Sequence, residues 1–289
     1  MDLEKKAFER LRLGAEMSKQ YYDAPLIICY SGGKDSDVLI QLAINSGIDF
    51  EVLHNHTTAD APETVRHICD TFKRLELQGI KCTREYPVYK GKRTSMWDLI
   101  PQKMIPPTRI MRYCCSILKE KGGQHRAIAT GVRWAESRAR TNRGIYEDIN
   151  WNKDKKIILN NDNDDKRLLF ERCEKQAKTV VNPVIDWQEQ DVWDYLKDNK
   201  TPCNPLYCEF SRVGCVGCPM ASKGRYAEFR RYPEYKQMYI HAFDRMLEVR
   251  KQRGKTAKLT WQSGYDVFRW WMEEDFTQYE FTDEDFEEE

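Results

Sequence analysis

A chain of 289 residues is long enough for one large α/β domain with a smaller appendage, or for two modest domains, and needs no stapling to complete a core. Its 47 basic and 46 acidic side chains nearly cancel, which excludes recruitment of a nucleic acid or a membrane by net charge alone. No uninterrupted apolar stretch follows the N-terminus and no apolar run reaches the length of a membrane span, so the expectation is a cytoplasmic protein without membrane contact. In that compartment the ten cysteines read first as metal or redox positions.

In chain order, Leu3, Ala7, Phe8, Leu11 and Ala15 recur at helical spacing and predict an N-terminal amphipathic helix over 1–22. Leu26–Tyr30 is a short apolar run ending in a Gly-rich turn, and Val38–Ile44 continues as a helix. Phe50–Leu53 predicts a second strand, Pro62–Leu77 a second helix, Ile80–Tyr86 a third strand and Ala127–Val132 a fourth. Strands alternating with helices predict a twisted parallel sheet with helices on both faces. Ligands of such sheets bind beyond the carboxyl ends of the strands, where Ser31, Asn55 and Gly131 fall.

The segment 144–180 reads as a surface insertion. After it, Asp186 and Glu189 have capping-box spacing ahead of a helix striped by Val192, Trp193 and Leu196. Residues 1–200 are therefore expected to form a nucleotide-binding α/β domain. Residues 201–289 are expected to form a Cys-rich loop and a C-terminal helical region, with Tyr226–Gln252 and Tyr265–Glu274 helical. Charge is uneven along this plan. Lys103–Arg143 carries ten Lys/Arg against two Glu, which suits a polyanion, whereas Asp266–Glu289 carries eleven acidic residues against one Arg.

Ser31-Gly32-Gly33-Lys34-Asp35-Ser36 lets backbone N–H groups approach phosphate oxygens without an intervening Cβ and places a helix N-terminus on the same charge. The spacing is not that of a Walker A loop. The hexapeptide resembles the pyrophosphate-cradling loop of the PP-loop ATP pyrophosphatases, an adenine nucleotide alpha hydrolase-like fold. Three further segments resemble the phosphoadenosine phosphosulfate (PAPS) reductase family: Thr57–Thr64 with its Pro-Glu-Thr, Gly131–Arg138 followed by Arg140, and Pro183–Trp193. This likeness runs from about Leu26 to Met220. It implies ATP, or adenylyl sulfate or PAPS, bound by Ser31, Gly32, Gly33, Asp35, Ser36, Thr57, Glu63, Gly131, Arg133, Ser137, Arg138 and Arg140. Lys34, Asp35 and Arg133 are the expected catalytic groups. Forked arginines suit phosphate or sulfate oxygens, and Asp35 or Glu63 suits Mg²⁺ on a triphosphate.

Cys215-Val216-Gly217-Cys218 is a Cys-x-x-Cys in a Gly/Pro turn that lets two thiolates converge on one metal. Adjacent cysteines such as Cys114 and Cys115 point apart in regular structure. In the iron-sulfur branch of the PAPS reductase family a tandem pair and a distal Cys-x-x-Cys hold one 4Fe-4S cluster. The resemblance thus implies Cys114, Cys115, Cys215 and Cys218 as ligands. Zinc accepts the same four thiolates, and Cys203 or Cys208 is an alternative to one of the tandem pair.

Sulfonucleotide reductases of this family attack with a cysteine in a C-terminal Glu-Cys-Gly-x-His context, and no such motif occurs among these residues. Resemblance to tRNA thiolation and DNA phosphorothioation enzymes implies a different use of the same parts. ATP adenylates an oxygen, pyrophosphate leaves, and sulfur displaces AMP. The leading expectation is this transferase chemistry on a nucleic acid or nucleotide, served by a sulfur or electron donor protein and compatible with a homodimer. Reduction of adenylyl sulfate or PAPS with another thiol (an oxidoreductase) is the second expectation, and a non-catalytic nucleotide-binding accessory module is the third.

Overall fold

The computed structural model describes residues 2–136, 145–149, 157–159, 178–255 and 261–272. The strands are β1 Leu26–Cys29, β2 Phe50–Asn55, β3 Cys82–Glu85, β4 Val88–Tyr89, β5 Lys92–Arg93, β6 Ala127–Ala129, β7 Tyr146–Ile149, β8 Ile157–Leu159 and β9 Lys178–Val181. The helices are α1 Leu3–Tyr22, α2 Lys34–Ser46, α3 Pro62–Glu76, α4 Met96–Lys103, α5 Tyr113–Leu118, α6 Glu189–Asp198, α7 Gly224–Arg231, α8 Pro233–Gln252 and α9 Gly264–Trp271. None of the described helices is long and apolar enough to cross a membrane.

The chain forms two compact units. The first comprises Met1–Asn55, Pro62–Glu85 and Gly122–Val213, and the second His56–Ala61, Tyr86–Lys121 and Gly214–Glu289. This division departs from a single cut at residue 200. The second unit takes two pieces from the N-terminal half of the chain, residues 56–61 and 86–121, which contact its C-terminal helices.

The first unit holds a seven-stranded sheet in the order β3-β2-β1-β6-β9-β7-β8. Neighbours from β3 to β9 are parallel, and β7 runs antiparallel to both β9 and β8. Its central strands are apolar on both faces, as strands covered by helices on two sides must be. Leu26 and Ile28 of β1 enter the core that α1 and α2 complete, while Ile27 joins Leu53, Ile128 and Val180 on the opposite face. The predicted α/β class is therefore observed. From β1 the chain builds β2 and β3 to one side and β6 and β9 to the other, so strand order reverses beside β1, where the loops at the carboxyl ends of β1 and β6 diverge.

Three local expectations change. Asp186 and Glu189 do not form a capping box. The helix begins at Glu189, and Asp191 accepts the Gln188 N–H at 2.7 Å. Asp186 instead takes the buried Arg10 guanidinium at 2.8 and 3.1 Å. Lys178–Val181, at the end of the expected insertion, is a sheet strand paired with β6. The span Tyr226–Gln252 breaks at Tyr232, where Pro233 starts a new helix.

The second unit packs α4 and α7–α9 around aromatic side chains. Tyr239 lies 4.7 Å from Trp271 and 4.9 Å from Trp97, centroid to centroid. Its β4–β5 hairpin is antiparallel.

Candidate functional site

The loop between β1 and α2 is shaped by what its small residues permit. Gly32 has φ +74°, a conformation costly for any side chain, and a Cβ there would meet Ile68 at 2.8 Å. Gly33 is the extended N-cap of α2 and has no side chain to cap the helix's first turn, whose positive end faces the loop. Ser36 closes the loop, its Oγ donating to the Gly33 carbonyl at 2.7 Å while it accepts the Ser31 N–H at 3.2 Å.

Four charged side chains meet beside this loop within the first unit. Arg133, 1 % exposed, donates from Nε to Asp35 at 2.6 Å and from Nη2 to Glu189 at 2.8 Å. Lys34 Nζ lies 3.2 Å from Glu189 and 3.6 Å from Asp35. Burial pushes the Glu189 carboxyl up, but the Arg133 and Lys34 cations outweigh it and hold Glu189 below the usual carboxylate range. Gly131 is required here, because a Cβ would sit 2.8 Å from the Asp35 carbonyl oxygen, backbone that cannot step aside. Lys34, Asp35, Gly131 and Arg133, expected together from the sequence, are thus brought together.

Glu189, Asn204, Tyr207 and Trp193 complete the arrangement, and sequence reasoning did not find them as site residues. Asn204, buried, donates to the Gly32 carbonyl at 2.9 Å and to Thr64 at 3.0 Å, tying the loop to α3. Tyr207 accepts the Lys34 backbone N–H at 3.1 Å, and the Lys34 ammonium lies 5.2 Å from its ring and 5.8 Å from that of Trp193. The one local signal was Asn204-Pro205, a helix-capping pair.

Glu63 sits in the first turn of α3, next to Thr64. Thr57 falls in the second unit, where its hydroxyl accepts from the Cys215 thiol at 3.4 Å. Ser137, Arg138 and Arg140 lie outside the described residues, as do Cys173 and the acidic tail beyond residue 272.

All four expected metal-ligating cysteines belong to the second unit, and none is in a disulfide. Cys114 and Cys115 occupy α5, and Cys215 and Cys218 bracket a turn closed by Cys218 N–H to Cys215 C=O at 3.2 Å. Val216 N–H donates to Ala59 at 2.8 Å and Tyr239 OH to Val216 C=O at 3.0 Å, fixing that turn. The Cys114 thiol donates to Cys115, which with the Arg112 guanidinium at 3.4 Å brings Cys115 down against its burial. That same bond, burial and the charges of Cys115, Cys215 and Cys218 drive Cys114 up. Burial pushes Cys215 to about 11, opposed first by Lys119. The four sulfurs therefore share one electrostatic environment flanked by Arg112 and Lys119, a donor set that fits a thiolate-ligated metal centre. Cys203 and Cys208 belong to the first unit, and burial pushes Cys203 to about 12.

The family model of the phosphoadenosine phosphosulfate reductase domain matches residues 25–221, more than half of the chain. The chain belongs to this family. Among its relatives, an uncharacterised protein of Methanocaldococcus jannaschii is 29% identical over 262 residues, covering 87% of this chain and 54% of its own length. The chain thus spans about half of that relative. An adenosine 5'-phosphosulfate reductase of Staphylococcus haemolyticus is 25% identical over 223 residues, 75% of this chain and 78% of that protein. The crystal structure of the phosphoadenylyl-sulfate reductase of Candida auris superposes with a TM-score of 0.43 at 15% identity, over 70% of this chain and 87% of that one.

Proposed function

We propose that the chain binds ATP at the Ser31–Ser36 loop, cleaves it to AMP and pyrophosphate by adenylating an acceptor, and serves sulfur insertion into a nucleic acid or nucleotide. The observation that carries this reading is the convergence of Lys34 and Arg133, both buried, beside the glycine-capped N-terminus of α2. Backbone N–H groups of the loop and the Lys34 ammonium bind phosphate oxygens. The Arg133 guanidinium holds Asp35 in place, so that one Asp35 oxygen remains for Mg²⁺ on the triphosphate. Glu189 pairs with the Lys34 ammonium at 3.2 Å and aligns it beside the loop.

Cys114, Cys115, Cys215 and Cys218 would hold a 4Fe-4S cluster, which supplies sulfur or electrons when bound. Zinc accepts the same four thiolates, and metal analysis distinguishes the two. Arg112 and Lys119 offset the surplus negative charge of four thiolates on such a cluster.

The test is anaerobic protein incubated with ATP, a sulfur donor and RNA or DNA, followed by nucleoside mass spectrometry. Sulfur-containing nucleotides formed only with ATP support the reading. Sulfite released from adenylyl sulfate or PAPS without ATP decides for the reductase. Tight nucleotide binding with neither product, unaffected by Cys114→Ser, decides for an accessory module.

A further inference from the structure

The second unit carries an open groove of about 740 Å³ walled by the β4–β5 hairpin, α4 and the end of α8. Five cations face it, Lys90, Lys92, Arg93, Arg245 and Arg253, against the carboxylates of Asp98 and Glu248. Arg245 already pairs with Asp98 at 3.2 Å, which leaves the groove basic in a chain whose overall charge is only +1. At the hairpin tip Lys90 and Gly91 both have positive φ, 49° and 75°. A turn of this kind favours Asn-Gly, so a lysine at the first position holds an ammonium on the rim at a conformational cost.

Aromatic faces accompany the cations. The Arg93 guanidinium lies 3.8 Å from the ring centre of Tyr86, which is 42% exposed, and Lys103 and Lys90 lie 5.1 and 5.9 Å from that of Tyr89. The groove wall also contains Thr94, 6% exposed, whose hydroxyl has no hydrogen-bond partner. Buried hydroxyls are nearly always satisfied, so this one marks a wall not yet complete.

We propose that this groove binds the phosphodiester backbone of a single-stranded nucleic acid, with an unpaired base stacked on the Arg93 guanidinium that Tyr86 backs. Cations spread along one rim suit a chain of phosphates, and only unpaired bases offer their faces to a tyrosine or a guanidinium. This deepens the reading above by giving the acceptor nucleic acid a place, and it is tested by binding, independently of turnover.

The experiment is fluorescence anisotropy of labelled oligo-U and oligo-dT with the full anaerobic chain across a salt series. The triple variant Lys90→Gln/Lys92→Gln/Arg93→Gln alters exposed hairpin residues only, and its unchanged circular dichroism is the folding control. It is expected to bind about tenfold or more weakly, with the slope of log K against log salt reduced by about 2. Tyr86→Ala is expected to weaken binding about tenfold with the slope kept. Comparing the two oligonucleotides separates an RNA from a DNA acceptor. Three results would overturn the inference: no oligonucleotide binding by the unaltered chain, unaltered binding by the triple variant, or equal binding of polyglutamate. If the triple variant fails to change binding while ATP cleavage still responds to nucleic acid, the groove is wrong and the reaction stands.

Discussion

The Tyr207 hydroxyl accepts the backbone N–H of Lys34 at 3.1 Å, at the N-terminus of the helix that follows the Gly-rich loop. A phosphate oxygen seeks that same amide, so nucleotide and Tyr207 compete for it. Tyr207→Phe removes the competitor at the cost of about one hydrogen bond, about 1 kcal/mol. Calorimetry with ATP is expected to show affinity raised by about fivefold, with a slightly lower melting temperature. Unchanged or weaker binding would mean that Tyr207 assists the nucleotide.

Arg133 is the hub of the charged cluster. Arg133→Ala leaves Asp35 and Glu189 facing each other without the cation between them. For fully buried pairs such a loss costs about 3–5 kcal/mol. Here about 2 kcal/mol is expected, because the Glu189 side chain is 58% exposed. Arg133→Lys keeps the charge but cannot fork to both carboxylates, and it is expected to recover stability only in part. Urea denaturation of the three proteins distinguishes these outcomes, and full recovery by lysine would show that the fork is unimportant.

Acid should destabilise the fold. In Glu51, Asp186 and Glu189 burial raises the carboxyl, but neighbouring cations prevail and hold each below its ordinary value. A carboxylate lowered in the folded state contributes stability that is present above its unfolded pKa and lost as pH falls through the folded value. Asp37 acts in the opposite sense, because burial raises it despite the bond from His67. Three groups against one give a melting temperature that declines below about pH 4, with a shallower decline in Glu51→Gln. A midpoint flat to pH 3 would contradict this assignment.

Anaerobic protein should be brown, with iron and acid-labile sulfide near four atoms each per chain, about the content of one cubane cluster. Cys215→Ser is expected to lose the visible absorption, while Cys203→Ser, which alters a cysteine of the first unit, keeps it. A colourless protein containing zinc would replace the cluster with a structural metal.

Much of this was legible along the chain because it rests on short periods. The strand, Gly-rich turn and helix around Ser31–Ser36 are encoded within about twenty residues, and Gly131 and Arg133 follow a buried strand directly. Glu189 was misread as a capping residue because capping spacing is local, whereas its partners Lys34 and Arg133 lie far away in sequence. Asn204 and Tyr207 reach Gly32 and Lys34 across more than half of the chain, and nothing in Asn204–Cys208 itself signals those partners. The expected division at residue 200 rests on the same kind of local signal. Composition changes there, but residues 56–61 and 86–121 join the second unit through contacts such as Tyr235 OH to Asp60 C=O at 2.7 Å.

The products formed from ATP test the central claim most directly. Phosphorus NMR of the anaerobic protein with ATP, Mg²⁺ and nucleic acid should show pyrophosphate and AMP appearing together, with both lost in Lys34→Ala. ADP and phosphate, or intact ATP alongside sulfite from adenylyl sulfate, would contradict it.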